Sequence, residues 1–317
     1  ESTSRTGFGE FAFRTRDSQL RWQHDIALAA GDLSVAYERR EERLGEAAGF
    51  AVTARDTDAL IAVYRLAHGA HALQANLRHD DSSQFGSRTT GTLAYGWRFA
   101  PGWRVTASAG TAFKAPTFND LYYPGYSNPD LDVETARNVE AGVAWSGTAG
   151  GARVEVRATG WHNRVESLIV FQCDASYACA PQNVDRATLE GVTLAADASW
   201  SATTLKASLN LQSPTDDATG NLLPRRARTY GSLSALHRIG PVLLSAELSA
   251  SSKRYDDAAN TRAMAGYAIV NLYAEWAAGR GVTLFVRGDN VLDRDYELAA
   301  DYSTGGAQVF AGLRWAM

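Results

Sequence analysis

Strict alternation of apolar and polar residues, sustained along the whole chain, constrains the fold more than any other feature. In 203–212, Leu205, Ala207, Leu209 and Leu211 share one face, and Thr204, Lys206, Ser208, Asn210 and Gln212 share the other. The pattern returns in 242–251, where Val242, Leu244, Ala246 and Leu248 oppose Ser245, Glu247 and Ser249. It returns again in 152–159, where Ala152, Val154, Val156 and Ala158 oppose Arg153, Glu155, Arg157 and Thr159. Period two is the pleat of a strand with one apolar face. No helical segment separates these runs, so the expected class is all-β.

An antiparallel sandwich with one wet face shows the same alternation. Three features favour a membrane. The alternating segments run about 8–11 residues, the span of a tilted transmembrane strand. They continue through all 317 residues. Trp103, Trp145, Trp200, Trp276 and Trp315 stand at strand ends on the apolar face, as an interfacial girdle does. Lys206, Glu247, Arg157 and Arg287 on the polar face would be costly in a dry core and are tolerated against a wet lumen. In hydrocarbon every backbone N–H and C=O must be satisfied internally, which leaves helices and closed barrels. No run of 18 uncharged apolar residues exists, so a transmembrane helix is not expected. The last strand places Val309, Ala311, Leu313, Trp315 and Met317 on one face.

Connections alternate between short and long. Gly- and Pro-bearing turns are expected at 30–32, 68–70, 100–102, 146–151, 201–202, 239–241 and 278–281. Long polar stretches are expected at 38–49, 78–88, 115–135, 171–186, 212–228, 251–265 and 293–306. Short on one side and long on the other is the asymmetry of an outer-membrane barrel, and these turns imply about fourteen strands in an up-and-down meander. Residues 1–317 show no domain boundary or low-complexity linker. Residues 1–6 are polar and carry no signal peptide, so a processed chain or a fragment is expected.

The two cysteines, Cys173 and Cys179, have no nearby Cys or His to complete a zinc site. A disulfide closing a short loop is expected, which requires an oxidising compartment. The net charge of −4 offers no basic footprint for nucleic acid. The six histidines show no H-x-x-H or H-E-x-x-H spacing, and no G-x-S-x-G or phosphate-binding loop appears, so no enzyme is expected. The paired acids Asp80-Asp81, Asp216-Asp217 and Asp256-Asp257 are read as solvated loop carboxylates, with no metal site assigned.

Two blocks carry a family resemblance. Residues 106–145, TASAGTAFKAPTFNDLYYPGYSNPDLDVETARNVEAGVAW, hold KAP, LYY and NPDL between two strands. Residues 289–297, DNVLDRDYE, resemble an NLFDxxYE element near the C-terminus. Both resemble motifs of TonB-dependent outer-membrane receptors, in the same order. Within that family the chain looks most like the vitamin B12 (cobalamin) receptors, from about Asp17 onward. Residues 78–86, RHDDSSQFG, resemble RxDDxSQFG; 109–116, AGTAFKAP, match SYGTSYKAP with Phe113 for Tyr; 223–227 match LPRRA; and 301–306, DYSTGG, resemble YQTAG. The chain departs from the pattern at Val133, where a second Pro is usual, at Ala258 to Thr261, where tyrosines are usual, and at Met317, where Phe is usual.

The resemblance implies a receptor of the bacterial outer membrane with a transmembrane antiparallel up-and-down β-barrel of 22 strands. About fourteen are expected here as its C-terminal portion, with a plug domain, a TonB box and calcium-binding acidic loops expected before Glu1. It implies cobalamin as transported ligand, with no cofactor in this portion. The implied partners are TonB through the plug, outer-membrane lipids and lipopolysaccharide, and the barrel-assembly machinery. It places Arg225 and Tyr302 in outward loops at ligand-contacting positions, followed by Ser303 and Thr304. Tyr122, Tyr123 and Tyr126 are further candidates for the vestibule. A rigid guanidinium suits amide and phosphate oxygens, and a tyrosine packs an apolar edge while donating a hydrogen bond. A ferric siderophore or haem as ligand, a passive pore, and a soluble all-β binding module are the competing readings.

Overall fold

Alternating side chains leave each strand's backbone groups free to pair sideways, and each short turn folds the chain back onto its neighbour. A computed structural model describes residues 2–6, 9–45, 49–173 and 178–316. Its strands are β1 (Ser2–Thr6), β2 (Gly9–Leu28), β3 (Gly31–Gly45), β4 (Ala54–His68), β5 (His71–Ser82), β6 (Gly86–Ala100), β7 (Trp103–Lys114), β8 (Glu134–Ala149), β9 (Ala152–Cys173) and β10 (Cys179–Ser199). They continue as β11 (Thr203–Asp216), β12 (Thr229–Ile239), β13 (Val242–Ser251), β14 (Arg254–Tyr255), β15 (Ala263–Met264), β16 (Tyr267–Gly279), β17 (Val282–Asp289), β18 (Glu297–Ala299), β19 (Tyr302–Ser303) and β20 (Gln308–Trp315). One sheet of 16 strands takes them in sequence order, leaving β14–β15 and β18–β19 as two-stranded ribbons in loops. Among the described residues no pairing joins β1 to β20.

All seven expected short turns fall between sheet neighbours. The sheet has 16 strands rather than about fourteen because the seven turns join β2 to β13, β16 and β17 in pairs and leave β1 and β20 uncounted. The polar stretches at 38–49, 78–88 and 212–228 are also shorter as loops than their composition implies. β3 runs on to Gly45, β5 and β6 are separated by 83–85 alone, and β11 runs on to Asp216. Where both faces of a strand are wet, alternation disappears from the sequence while the backbone continues to pair. Arg39 lies opposite Asp58 and Arg43 opposite Ala54 in this continuation, with ion pairs Arg39–Asp58 (3.2 Å) and Arg43–Asp56 (2.5 Å). One helix, α1 (Phe118–Tyr122), interrupts the all-strand expectation. Met317 and the interior of the Cys173–Cys179 loop lie outside the described residues.

The chain packs as two compact units. The first comprises Glu1–Trp97, Thr106–Val139 and Asn163–Ala187; the second comprises Arg98–Val105, Glu140–His162 and Thr188–Met317. In the first, Trp22 opposes Tyr37 and Tyr37 opposes Leu60 across β2–β4, while Leu77 opposes Ala62. Leu20, Trp22, Leu60, Leu77 and Leu93 on this face are exposed. The opposite face holds the polar cluster: Arg78 bonds Glu38 Oε1 (2.9 Å) and Asp80 Oδ1 (2.8 Å), around the fully covered Ala59. An apolar side turned to the surroundings and a charged side turned inward is the reverse of a soluble sheet.

In the second unit the apolar side ends in aromatics beside the short turns. Trp276 lies opposite Val242 and Trp315 opposite Val282, each the first residue after a turn. Trp103, Trp200, Trp276 and Trp315 are exposed, whereas Trp145 lies half-buried over Gly147, where any Cβ would come within 2.5 Å of its ring. No helix among the described residues is long and apolar enough to cross a membrane.

Candidate ligand-binding site

In the first unit the segment after β7 folds onto the polar face of the sheet. Thr117 caps α1: its hydroxyl accepts from the Asp120 amide (3.1 Å) while Asp120 Oδ2 accepts from the Thr117 amide (2.8 Å). Pro116 and Leu121 are fully buried. Arg55, itself 7% exposed, holds the segment down. Its Nη2 donates to the Pro116 carbonyl (2.9 Å) and its Nε to Gln84 Oε1 (2.9 Å), and its guanidinium lies over the rings of Phe85 (5.1 Å) and Phe118 (4.8 Å). Burial lowers the pKa of this guanidinium, which nonetheless stays charged. Gln84 in turn donates to the Tyr122 hydroxyl (2.7 Å). Tyr123 ends the helix, with its ring edge-on to Phe50 (6.1 Å) and 6.5 Å from that of Tyr126. Tyr122 is thus bonded into the packed segment, and Tyr126 is exposed.

The disulfide expected between Cys173 and Cys179 is formed. The strand that follows it straps down the NPDL segment. Asn128 Nδ2 donates to the Pro181 carbonyl (3.2 Å), and Asn183 accepts from the Asp132 amide (2.9 Å) while donating to the Ser167 carbonyl (2.6 Å). Closing so short a loop contributes about 2 kcal/mol by the chain-entropy estimate. Replacing both cysteines with serine should therefore speed proteolysis of the 173–179 loop and lower stability by that amount; unchanged cleavage would show that the two asparagines suffice.

In the second unit three loops meet. Arg225, after β11, has φ 59° and donates through Nε to Asp256 Oδ1 (2.6 Å). The same carboxylate oxygen accepts from the Ala300 amide (3.2 Å), two residues before Tyr302. Burial opposes the charge on Asp256, but the Arg225 and Ala300 hydrogen bonds outweigh it and hold the carboxyl below the usual range. Asn260 zips the 257–262 loop to Leu222 by reciprocal bonds of 2.8 Å. Arg262 pairs with Asp301, and Arg254 donates to the Glu297 carbonyl. Arg225 and the Tyr302 loop are therefore joined through Asp256. Tyr302 projects, 75% exposed, with Ser303 exposed beside it. The Thr304 hydroxyl donates to the Tyr296 carbonyl (2.7 Å) and serves the loop itself.

Beneath Arg225 lies a recess of about 570 Å³. Its floor is built from two rows of the polar face: Ser208, Ser232 and Ser249 opposite one another, then Asn210, Tyr230, Ser251 and Tyr267. The serines are small enough to leave the space open. The other acidic pairs have protein partners: Asp216 accepts from the Ala218 amide (2.8 Å), Asp257 from the Arg262 amide (2.7 Å), and Asp80 from Arg78.

The family model described as TonB dependent receptor-like, beta-barrel matches residues 4–291. The chain belongs to that family. TonB-dependent receptors are outer-membrane transport receptors, not enzymes, so the exposed apolar face is the lipid-facing one and the polar face is the inner one. The chain is 29% identical over 294 residues to the vitamin B12 transporter BtuB of Vibrio vulnificus, covering 92% of this chain and 46% of that protein. It is 28% identical over 306 residues to BtuB of Photobacterium profundum, covering 94% and 50%. The chain thus spans about half the length of these curated relatives. Among solved structures, the ferric enterobactin receptor PfeA of Pseudomonas aeruginosa shares the fold at TM-score 0.78 and 17% identity, covering 96% of this chain and 55% of that one. The copper transporter OprC does so at TM-score 0.77 and 17% identity, covering 95% and 56%.

In this TonB-dependent receptor the DNVLDRDYE element is a structural turn. Asn290, buried with φ 47°, accepts from the Arg294 amide (2.9 Å) and donates to the Arg294 carbonyl (2.9 Å). The Tyr296 ring of the same element packs, tilted by 35°, 4.6 Å from that of Tyr267 at the edge of the recess. Sequence reasoning singled out Arg225 and Tyr302 but read Asp256, which joins Arg225 to the Tyr302 loop, as a solvated loop acid, and missed Arg254, which is 4% exposed. The signal for Asp256 was an acid 31 residues from Arg225, which no local pattern connects.

Proposed function

We propose that this chain is the C-terminal barrel portion of an outer-membrane receptor that captures cobalamin in its outward loops and passes it to the periplasm. The observation that carries this reading is the match to vitamin B12 transporters over more than nine-tenths of the chain. The loop architecture supports it: Arg225 and the loop that carries Tyr302, the positions singled out for corrinoid contact, are joined through one carboxylate beside a polar recess. Tyr302 and Ser303 are exposed for contact. Tyr122 and Tyr123 would act as a packed rim rather than as mobile contacts. Energy would reach the receptor through TonB acting on a plug, so the barrel itself has no use for a nucleotide. Lipid, lipopolysaccharide and the barrel-assembly machinery would be its remaining partners.

The test is equilibrium binding of cyanocobalamin to the full-length gene product in outer membranes. Tight binding is expected, weakened about tenfold by Tyr302→Ala as an exposed aromatic contact is lost. Displacement by ferric chelates rather than by cyanocobalamin would replace this reading with iron uptake, and ion conductance without either would replace it with a pore.

A further inference from the structure

Resting on the cobalamin reading, we propose that the recess beneath the 223–227 loop is a subsite for the ligand's phosphodiester, with Arg226 as the guanidinium that meets it. Three arginines, Arg225, Arg226 and Arg254, line the recess, and no carboxylate does. In a chain of net charge −4, that is a local reversal of sign. The three are not equivalent. Arg225 is committed to Asp256 at 2.6 Å, so its charge is already met. Arg254 is 4% exposed, lies 5.2 Å over the Tyr267 ring and has no carboxylate partner among the described residues. Its Nη1 is buried without any hydrogen-bond acceptor. A buried cation without a counter-charge is costly, and an anion in the recess it lines would offset part of that cost. Arg226 is exposed, borders the same space, and forms no ion pair among the described residues.

The floor suits such a group. Ser208 and Ser232 hydroxyls lie 3.0 Å apart, with Asn210 and Tyr230 in the next row. Hydroxyl and amide donors beneath a planar guanidinium are the usual surroundings of a singly charged phosphate. The arrangement makes Arg225 a positioning residue that fixes the loop, and its neighbour the contact. Arg254 supplies field from the wall of the recess without touching the ligand, since its unbonded nitrogen is covered.

The test compares cyanocobalamin with dicyanocobinamide, the same ring without the nucleotide loop and its phosphate, on the full-length receptor. Arg226→Ala is expected to weaken cyanocobalamin by about ten- to a hundredfold, the loss of a charge-assisted hydrogen bond, and to leave cobinamide unchanged. Arg226→Lys should recover part of the loss. Arg225→Ala should weaken both ligands, and cyanocobalamin the more, because it loosens the loop that carries Arg226 as well as the one that carries Tyr302. Equal effects of Arg226→Ala on both ligands, or none on either, would overturn the proposal. Should the wild-type receptor bind neither corrinoid, the cobalamin reading fails by itself, and the subsite is judged with dimethyl phosphate. Broadening of its ³¹P line by the wild type but not by Arg226→Ala supports the subsite, and identical broadening refutes it.

Discussion

Arg55→Ala should release the 115–123 segment from the inner face and destabilise the first unit by about 3 kcal/mol, the scale expected when a buried, hydrogen-bonded charge is removed. The guanidinium joins β4, the 83–85 turn and α1 at one point. Without it the Pro116 carbonyl is left buried without its donor, and the space between Phe85 and Phe118 loses its filling. Lysine is a poor substitute, because a point charge cannot reach both the carbonyl and Gln84 while stacking on two rings. Limited proteolysis of the full-length receptor should then cut within 115–127 at least tenfold faster, with Arg55→Lys falling between. Since Tyr122 is held through Gln84, any ligand contact made by Tyr122 or Tyr123 should weaken in step. Wild-type cleavage rates in Arg55→Ala would mean that α1 is held by Pro116, Phe118 and Leu121 alone.

How much of this was legible depends on whether one face met lipid. In 203–212 and 242–251 the apolar residues announce the strands and the turns between them, and those elements lie where the alternation put them. Above the lipid both faces are wet, so Arg39 to Gly45 reads as a charged loop although it is paired strand. The site shows the same divide. Arg225 and Tyr302 stood out because their surroundings resemble a family motif. Asp256 and Arg254 did not, because a carboxylate that ties three loops and an arginine buried beneath a tyrosine have the same composition as a solvated loop. α1 was missed because five residues are too few for helical periodicity; its signal was the T-x-x-D capping box at Thr117 and Asp120.

Asp256→Ala should unfasten the outward loops of the second unit together. The carboxylate serves Arg225 from one loop and the Ala300 amide from another, so its loss frees both at once. The cost is about 1–2 kcal/mol, taken low because Arg225 is half exposed and its ion pair is partly screened by solvent. That is a roughly tenfold rise in loop opening, measurable as faster hydrogen exchange at Ala300 and Arg225 in the full-length receptor. Asp256→Asn should fall between, since an amide oxygen still accepts from Ala300 but no longer attracts a guanidinium. The pH dependence follows from the same pair. The folded-state pKa of Asp256 lies below its unfolded value. The clamp's contribution is therefore complete above the unfolded pKa and disappears as pH falls through the folded one. Loop protection and ligand affinity should be flat from pH 8 to pH 5 and decline only below about pH 4. A decline centred near pH 6 would place control with a histidine instead, and Asp256→Ala would then leave the profile's shape unaltered.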